Sequence, residues 1–495
     1  MVNYCAFLFS QPLSFSRTFE SNKKSVPISI INKHRNYFHV LRYNKVAHDF
    51  TLERRNKPAA EIISFTPLKL DIINADWFNY ENLDYILYEY QHKVYFVFEK
   101  VLNNRREVFL KVIDTTGKSS EFISLAVMDR DKSQEDFKFE YKITGENKVL
   151  VVGTQSYPGN IEKKSAVLFD LVKLEKIWVK RLPVESRLSG YSQGFECNPA
   201  GDLFYMLSKP VLAYYKRKYI DHMQVMVPVF SHESVCVAGI PTNSLIPVKK
   251  QLLTDYFTKL YSVSLQATDS AVYASFHFSG VVEQEGEKVF FMNLKWNKDL
   301  SKTLYDTIAT LNEKIEKQLT FYDGSDFKDA KDKEFSLLDR VTANGFLYIL
   351  SERKEIFFYK ELLLIKVEIA TGVVLSQQII PRKVFYYKDR TRFKNLGLSS
   401  RILCKGNYGT ILSESSDNLK TPPGTFDYHD FSKVGAAGGN LVLYSSKAGE
   451  QEKKMIYENA EFDYIPMYTQ TEGCDFVFYL NRGKYEKFAI LNLNP

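Results

Sequence analysis

The chain has 495 residues, of which 45% are hydrophobic and 15% aromatic, so it can bury a substantial core and is not intrinsically disordered. Its formal net charge is +7, but acidic and basic residues alternate along the sequence, which argues against the basic stripe of a nucleic-acid-binding protein. No apolar run approaches the ~18 residues of a membrane span, so no transmembrane segment is predicted.

The first eleven residues, MVNYCAFLFSQ, contain an apolar run from Tyr4 to Phe9 that is followed by small and polar residues. This pattern is typical of the second half of a secretory signal peptide, although no basic residues precede the run. We expect residues 1–11 to be a signal-peptide remnant, the native start codon to lie upstream, and the protein to be periplasmic, envelope-associated or secreted. The alternative is an ordinary buried first strand in a cytoplasmic protein.

From Val26 onward the sequence predicts one strand after another. The clearest pattern is a three-stranded antiparallel meander, with apolar runs at Phe346–Leu350 and Leu362–Ile369 and from Val373. Charged or glycine-containing connections separate these runs, and apolar residues alternate within them as in strands that bury one face.

This meander is repeated along the chain. In Val94–Leu125, Lys111-Val112 is followed by Thr116-Gly117, and Lys366-Val367 is followed by Thr371-Gly372 at the same spacing. With these two units, eight repeats can be counted. The other six begin near Phe38–Tyr43, Val149–Val152, Leu203–Leu207, Val272–Phe278, Tyr408–Leu412 and Phe476–Leu480.

A single meander cannot bury its apolar face alone, so several must pack against one another. The chain from residue 26 to residue 495 therefore resembles a β-propeller of seven or eight blades, with repeats of about 55 to 75 residues. The resemblance is to the fold only, because neither a WD40 nor a kelch signature is present. Two packed β-sandwich domains are the alternative. If the fold is a propeller, we expect Val26–Ile31 to complete the last blade.

One segment departs from the strand pattern. Apolar residues recur at intervals of three or four between Leu300 and Leu319, and Asp299 precedes them as a possible N-cap. We expect a helix over residues 300–319, inserted between two repeats and packed on the outside of the β domain.

Four patterns that could carry chemistry have ordinary explanations. Gly190–Gly194 matches the G-x-S-x-G motif around Ser192, but a turn and a strand follow it where a hydrolase needs a helix. Four aspartates at every third position from Asp323 to Asp332 do not match a calcium loop and predict a solvated loop. His222 and His232 lack ligand companions, so no metal site and no cofactor are predicted. The five cysteines show no metal-ligand spacing and are expected to be separate buried thiols.

Two basic and aromatic clusters are candidates for binding, at Tyr214–Tyr219 and at Arg382–Lys394. Aromatic faces beside cations suit sugars, polyanions or protein partners, and in the second cluster Tyr387 and Arg390 are the candidate contacts. The alternative is that these residues line a solvated edge strand.

Propeller geometry suggests a second set of binding residues, on the loops that join the second and third strands of a blade. These loops are predicted at Glu99–Glu107, Gly153–Ser165, Ser279–Lys288 and Ser351–Glu361. Their aromatic and basic members are Arg105, Arg106, Tyr157, Lys163, Lys164, Arg353 and Tyr359. Loops on a rigid scaffold commonly carry binding function.

The sequence thus favours a non-catalytic binding or scaffold propeller of a bacterial cell envelope that recognises a protein or a glycan, without nucleic acid. A propeller-type hydrolase or lyase with a site in the central funnel is the alternative, and a structural partner in a larger assembly is a third possibility. The sequence does not indicate an oligomeric state.

Overall fold

The computed structural model describes residues 13–492 with several gaps. The longer gaps are 69–84, 183–193, 253–258, 316–334, 386–398, 415–428, 431–439 and 458–462, and breaks of one to three residues interrupt the rest. The described chain is almost entirely β-structure and opens with two short strands, β1 (Ser14–Phe15) and β2 (Phe19–Glu20).

Eight sheets follow, and we number them as blades 1 to 8 in chain order. Seven are built on a four-stranded antiparallel meander, and blade 8 on three strands. Blade 1 contains β3 (Ser25–Asn32), β4 (Tyr37–Asn44), β5 (Asp49–Asn56) and β6 (Ile62–Leu68). Blade 2 contains β7 (Tyr85–Tyr90), β8 (Lys93–Leu102), β9 (Arg105–Ile113) and β10 (Ile123–Asp129). Blade 3 contains β11 (Asp136–Thr144), β12 (Lys148–Tyr157), β13 (Ile161–Asp170) and β14 (Glu175–Leu182). Blade 4 contains β15 (Phe195–Cys197), β16 (Leu203–Ile220), β17 (Met223–Ile240) and β18 (Val248–Leu252).

The second half of the chain repeats this plan. Blade 5 contains β19 (Lys259–Ala267), β20 (Ala271–Val282), β21 (Gly286–Asn297) and β22 (Thr303–Thr310). Blade 6 contains β23 (Phe335–Ala343), β24 (Phe346–Lys354), β25 (Phe358–Glu368) and β26 (Val374–Ile380), to which β27 (Val384–Phe385) and β30 (His429–Asp430) are added. Blade 7 contains β28 (Ser399–Cys404), β29 (Asn407–Glu414), β31 (Asn440–Lys447) and β32 (Glu450–Tyr457). Blade 8 contains β33 (Asp463–Ile465), β35 (Asp475–Arg482) and β36 (Tyr485–Asn492), while β34 (Tyr468–Thr471) pairs with blade 1.

This architecture is a β-propeller, as the sequence predicts, and not a pair of sandwiches. All eight predicted repeat starts fall on the second strand of a blade, because that strand has neighbours on both sides and reads as the longest alternating apolar run. Apolar clusters join successive blades in the series 7, 8, 1, 2, 3, 4, 5 and 6. Backbone hydrogen bonds stay within each sheet, so side-chain packing and not a continuous ring of strands holds the described blades together.

The Thr-Gly turn of the repeat links neighbouring blades. Gly117 has a φ of 87° and Gly372 a φ of 75°, a left-handed conformation that glycine adopts readily. The Gly117 carbonyl accepts a hydrogen bond of 2.8 Å from Thr66 of blade 1, and the Gly372 carbonyl accepts one of 2.7 Å from Thr307 of blade 5. The similarity of the two units therefore reflects one contact between a turn and the fourth strand of the preceding blade.

The last blade is completed by an N-terminal strand, but not by Val26–Ile31 as expected. Strands β1 and β2 both pair antiparallel with β36, and Ser16 exchanges backbone and side-chain hydrogen bonds with Phe488. Val26–Ile31 lies in β3 and contacts the C-terminal chain through a parallel pairing with β34. Its own hydrophobic pattern places it as the first strand of blade 1, so the closing strand lies further upstream.

A buried ionic cluster joins blades 1 and 8. Arg42 contacts Glu486 across the junction and pairs with Glu53 at 2.9 Å. Arg55 pairs with Glu53 at 2.7 Å, and the Tyr479 hydroxyl donates to Glu486 at 3.0 Å. Two arginines and two glutamates therefore balance in charge inside the protein.

The electrostatics of the cluster follow from burial and pairing. Burial alone would lower the pKa of Arg42, but Glu53 and Glu486 outweigh it and raise that pKa. Burial lowers the pKa of Arg55, with Glu53 opposing, and burial together with Glu486 raises the pKa of Tyr479. Each carboxylate thus stabilises a buried arginine, which would be costly to bury without a partner of opposite charge.

The expected helix over residues 300–319 is wrong for its first half. Residues Thr303–Thr310 form β22, in which Leu304 and Ile308 are both about half exposed, and only residues 313 and 315 are helical among the described ones. An interval of four residues is also a multiple of the strand period of two, so the stripe of residues 300, 304 and 308 equally describes one face of an outer strand.

The cysteines do not all behave as separate thiols. Neither Cys197 nor Cys236 is in a disulfide, and burial raises the pKa of the Cys197 thiol well above its ordinary value. Cys474, in contrast, is disulfide-bonded. The spacing of the cysteines does not predict this bond, because separation in the sequence does not determine which cysteines are close in the fold.

His277 is buried on β20, where the edge of its ring meets the face of Phe291 at a centroid distance of 4.5 Å. Its Nδ1 lies 3.4 Å from the Ser351 hydroxyl of blade 6. Burial lowers the pKa of His277 from 6.5 to about 3, so the folded protein keeps this ring neutral.

We expect replacement of Glu486 by glutamine to destabilise the protein by about 3 to 5 kcal/mol, because Arg42 would be left buried with less compensation. The matched control is Glu175→Gln, which removes an exposed pair with Lys173 and should cost at most about 1 kcal/mol. Urea unfolding followed by circular dichroism measures both. Equal losses in the two variants would show that the buried cluster does not stabilise the junction.

We expect His277 to make stability fall as pH drops from about 6.5 to about 3, because the unfolded chain takes up a proton there and the folded chain does not. The slope from this residue approaches about 1.4 kcal/mol per pH unit. In His277→Gln that part of the dependence should disappear. Urea unfolding of both proteins at pH 7.5 and pH 5 tests this, and equal losses on acidification would contradict it.

Candidate functional site

Arg105 and Arg106 lie beside the hairpin that joins β8 and β9. The Arg106 Nη1 atom donates to Glu99 Oε1 at 3.1 Å, and its guanidinium lies 5.1 Å from the ring centre of Phe137 in blade 3. Arg105 is about half exposed and lies 3.5 Å from Glu107 and 3.8 Å from Asp129. The two arginines thus lie at the edge of blade 2 that faces blade 3, and Arg106 contacts that blade directly.

Tyr157 and Lys163 belong to the equivalent hairpin of blade 3. The Lys163 ammonium lies 4.6 Å from the ring centre of Tyr157, whose hydroxyl accepts a hydrogen bond of 3.0 Å from Gln134. Arg130, which is exposed, lies 5.8 Å from the ring centre of Phe137. Two neighbouring hairpins and the segment between the blades therefore present cations beside aromatic rings.

We refer to Arg106, Arg130, Phe137, Tyr157 and Lys163 as the hairpin-face cluster. The predicted repeat starts are second strands, so the loops that follow them join the second and third strands of a blade. That this face binds a partner stays a prediction. The loops themselves are much shorter than expected. Strand pairing continues to Leu102 opposite Arg105 and to Tyr157 opposite Ile161, so most of each predicted loop is paired strand.

The remaining predicted residues are not brought into this cluster. The Lys164 ammonium lies 5.9 Å from the ring centre of Phe195, toward blade 4. Arg353 and Tyr359 lie in β24 and β25 of blade 6, and only their backbone positions are described. Tyr387 and Arg390 are outside the described residues.

The other sequence motifs lie mostly where the structure gives no description. Residues 183–193, with Ser192, and residues 316–334, with the four aspartates, are outside the described residues, as is His222. The backbone of Tyr214–Tyr219 lies in β16 and that of His232 in β17. These motifs stay predictions.

A second cluster, which the sequence analysis missed, lies at the seam between blades 1 and 2. His34 is in the turn between β3 and β4, His92 is in the turn between β7 and β8, and Glu89 is near the end of β7. Their ligand-capable atoms all lie within 4.8 Å of one another, the closest contact being between His34 and Glu89. His39 on β4 places its Nδ1 atom 3.5 Å from the other Glu89 oxygen.

We call His34, His39, Glu89 and His92 the histidine seam. Burial alone would raise the pKa of Glu89, but its contacts with His39 and His34 outweigh this and lower it, so the carboxylate is ionised near neutral pH. The His34 ring stacks on Tyr37 with centroids 4.0 Å apart. The seam is therefore an anionic carboxylate surrounded by imidazoles.

A cavity of about 140 Å³ opens beside the seam. Polar and charged side chains line much of it, and the Arg54 guanidinium lies 3.7 Å from the ring centre of Tyr37 at its wall. The other polar residues of the wall are His39, Ser64, Thr66, His92, Asp114 and Thr115. This volume holds a few waters or a small anion, and not a large substrate.

The seam was missed because its members are far apart in the sequence. His34 and Glu89 are 55 residues apart, which is about one blade repeat, so both lie near the first hairpin of consecutive blades. A search for ligand pairs a few residues apart does not find them. The sequence pattern that could have revealed the seam is the presence of metal-ligating residues one blade repeat apart.

No helix among the described residues is long and apolar enough to cross a membrane.

No protein-family model matches the sequence, and no curated protein matches it. Solved structures do match. The β-propeller domain of the trilobed protease from Pyrococcus furiosus is 9% identical, over 88% of this chain and 99% of that one, with a TM-score of 0.38. The WD40 domain of SCAP from fission yeast is 8% identical, over 98% and 99%, with a TM-score of 0.39.

Quinohemoprotein alcohol dehydrogenase from Comamonas testosteroni is 9% identical, over 97% of this chain and 76% of that one, with a TM-score of 0.42. All three identities are too low to transfer a function. The propeller assignment therefore rests on the strand order and register of this chain.

Proposed function

We propose that this chain is a non-catalytic binding or scaffold propeller of a bacterial cell envelope, which recognises a protein or a glycan through its hairpin face at blades 2 and 3. The observation that carries the proposal is the hairpin-face cluster. Four residues singled out from the sequence, Arg105, Arg106, Tyr157 and Lys163, lie at adjacent hairpins of neighbouring blades.

The chemistry of the cluster supports recognition. The partly exposed Tyr157 ring offers apolar contact together with a polar hydroxyl, and arginine and lysine add hydrogen-bond donors that suit sugar hydroxyls, carboxylates or carbonyls. Phe137 is buried and supports Arg106 and Arg130 from within. Tyrosine and arginine are also the residues that most often dominate protein interfaces. The acidic neighbours Glu99, Glu107 and Asp129 keep the surface from being uniformly basic, which favours a polar partner over a strongly anionic one.

Charged residues on the first strands of blades 3, 4 and 6 form ion pairs or hydrogen bonds with neighbouring side chains. This supports a binding function over the hydrolase or lyase alternative. Glu196 on β15 pairs with Lys142 on β11 at 2.8 Å and also contacts Thr144. Arg340 on β23 donates to the Ser264 hydroxyl at 2.9 Å and to its carbonyl at 3.1 Å. A general acid or base needs a carboxyl group that can exchange protons with a substrate, and Glu196 is held by its own neighbours.

The disulfide at Cys474 supports an envelope or extracellular location. Stable disulfides persist in the periplasm and outside the cell, whereas cytosolic thiols are kept reduced. This agrees with the signal-like pattern of residues 1–11, and the two observations are independent of each other.

We expect Arg130→Ala combined with Lys163→Ala to weaken partner binding at least about tenfold, because a contact at an interface centre contributes more than 1 kcal/mol. The melting temperature should stay within about 2 °C, since both side chains are exposed. A photo-crosslinker at position 157 in cells, together with an array of envelope glycans, identifies the partner, and titration measures the loss.

Lys173→Ala is the matched control, because Lys173 is exposed on the turn at the other end of blade 3. Binding that falls equally in Lys173→Ala, or that survives the double substitution, would show that the partner docks elsewhere.

We expect the native protein to be found in the envelope or extracellular fraction, with Cys474 resistant to alkylation until a reductant is added, because an oxidising compartment preserves the disulfide. Cell fractionation with mass spectrometry of alkylated peptides measures both, and the same data give the mature N-terminus. The peptide with Cys197, which is not in a disulfide, is the internal control. A reduced Cys474 in protein from the cytoplasm would contradict the envelope assignment.

A further inference from the structure

The histidine seam has the donor set of a metal site. His34, Glu89 and His92 offer two imidazole nitrogens and one carboxylate oxygen, all within 4.8 Å of one another. Among the described residues, this is the one group of three or more histidine, cysteine, aspartate or glutamate side chains whose atoms lie so close. Two imidazoles and a carboxylate suit zinc, whereas calcium and magnesium favour all-oxygen sites.

The surroundings of Glu89 hold its carboxylate in place. Its side chain is almost fully buried, and His39 contacts the oxygen that His34 does not. The Lys33 ammonium donates to the Glu89 backbone carbonyl at 2.8 Å, which fixes the end of β7 against the turn of blade 1. Metal-binding side chains are commonly oriented by such outer contacts.

The turn that carries His92 adopts an unusual backbone conformation. Gln91 has a φ of 49° and His92 a φ of 61°, so two consecutive residues other than glycine are in the left-handed region. Two-residue hairpin turns of this kind favour Asn-Gly, and bulkier residues adopt them at a cost. This conformation brings the exposed His92 ring to the His34 ring, with centroids 5.5 Å apart and planes inclined by 26°.

We propose that His34, Glu89 and His92 bind a Zn²⁺ ion at the seam between blades 1 and 2. The ion would link the first hairpins of two adjacent blades and neutralise a buried carboxylate. With three protein ligands, one tetrahedral position is left for a water, a small anion or a group from a partner. His92 also lines the neighbouring cavity. This inference is independent of the proposed function, which concerns the hairpin face.

The test is calorimetric titration of ZnCl₂ into the full-length protein after treatment with EDTA and exchange into metal-free buffer. We expect one Zn²⁺ per chain with micromolar or tighter affinity. We also expect Co²⁺ to give the visible absorption of a tetrahedral complex, which reports ligand number independently of heat. No binding at 100 μM Zn²⁺, on the order of a hundred times the expected dissociation constant, would overturn the proposal.

Variants locate the site. His92→Asn removes a ligand and keeps a residue that tolerates positive φ, so the turn should form and zinc affinity should fall by at least about 100-fold. Glu89→Gln should lower affinity similarly. Gln91→Asn is the matched control, because it changes the same turn without removing a ligand and should bind zinc as the parent does.

The competing possibility is that the seam is a purely structural ion pair. In that case any zinc that the protein binds is held by other histidines. The zinc affinity of His92→Asn would then equal that of the parent. Circular dichroism and melting temperature in EDTA show whether each variant is folded. A folded His92→Asn with unchanged affinity would therefore refute the assignment of His92.

Discussion

Every blade of this propeller depends on the blade beside it. Blades 1 to 5 and blade 8 carry apolar side chains on both faces, and a face is removed from water only where a second sheet covers it. Phe96 of blade 2, for example, packs on Phe50 of blade 1, while Val97 of the same strand faces the cluster shared with blade 3. Packing between sheets, and not backbone hydrogen bonding between them, is thus the constraint on which the described architecture rests.

The junction of blades 1 and 8 meets this constraint differently from the others. Apolar residues such as Phe38 and Phe488 pack there, but Arg42, Glu53 and Glu486 are buried beside them. Buried ion pairs are weak sources of net stability, yet they require exact partners. The junction that joins the two ends of the chain therefore depends on paired charges as well as on apolar packing.

The repeat could be predicted from the sequence because it is local. Alternation within Phe38–Tyr43 or Phe346–Leu350 needs only neighbouring residues, and both were correctly identified as strands. The strand Thr303–Thr310 was mistaken for a helix because residues four apart share a face in both structures. Which strand completes the last blade depends on contacts across the whole chain, and no local pattern reveals it.

The candidate sites also differ in whether they depend on local sequence or on contacts between distant residues. Arg106 and Tyr157 could be placed near a hairpin from the sequence, because each lies close to the end of a recognisable second strand. That they contact a partner stays a prediction. Glu89 and His34 were not found, since their proximity depends on how two blades pack. The sequence also did not indicate that Cys474 is disulfide-bonded. Contacts within a blade can be predicted from the sequence, whereas contacts between blades are known only from the structure.

The pairing of β1 with β36 has a consequence for biosynthesis. Ser14 and Ile490 are 476 residues apart in the chain, so a ribosome adding ~5 to 20 residues per second needs about 25 to 95 s between making one strand and making its partner. Throughout that time the leading strands have no sheet to join, while the blades between them can form as they emerge. The final blade is then assembled from the earliest and latest parts of the chain, so a nascent protein that is interrupted anywhere before β36 lacks its closure, however many complete blades it already carries.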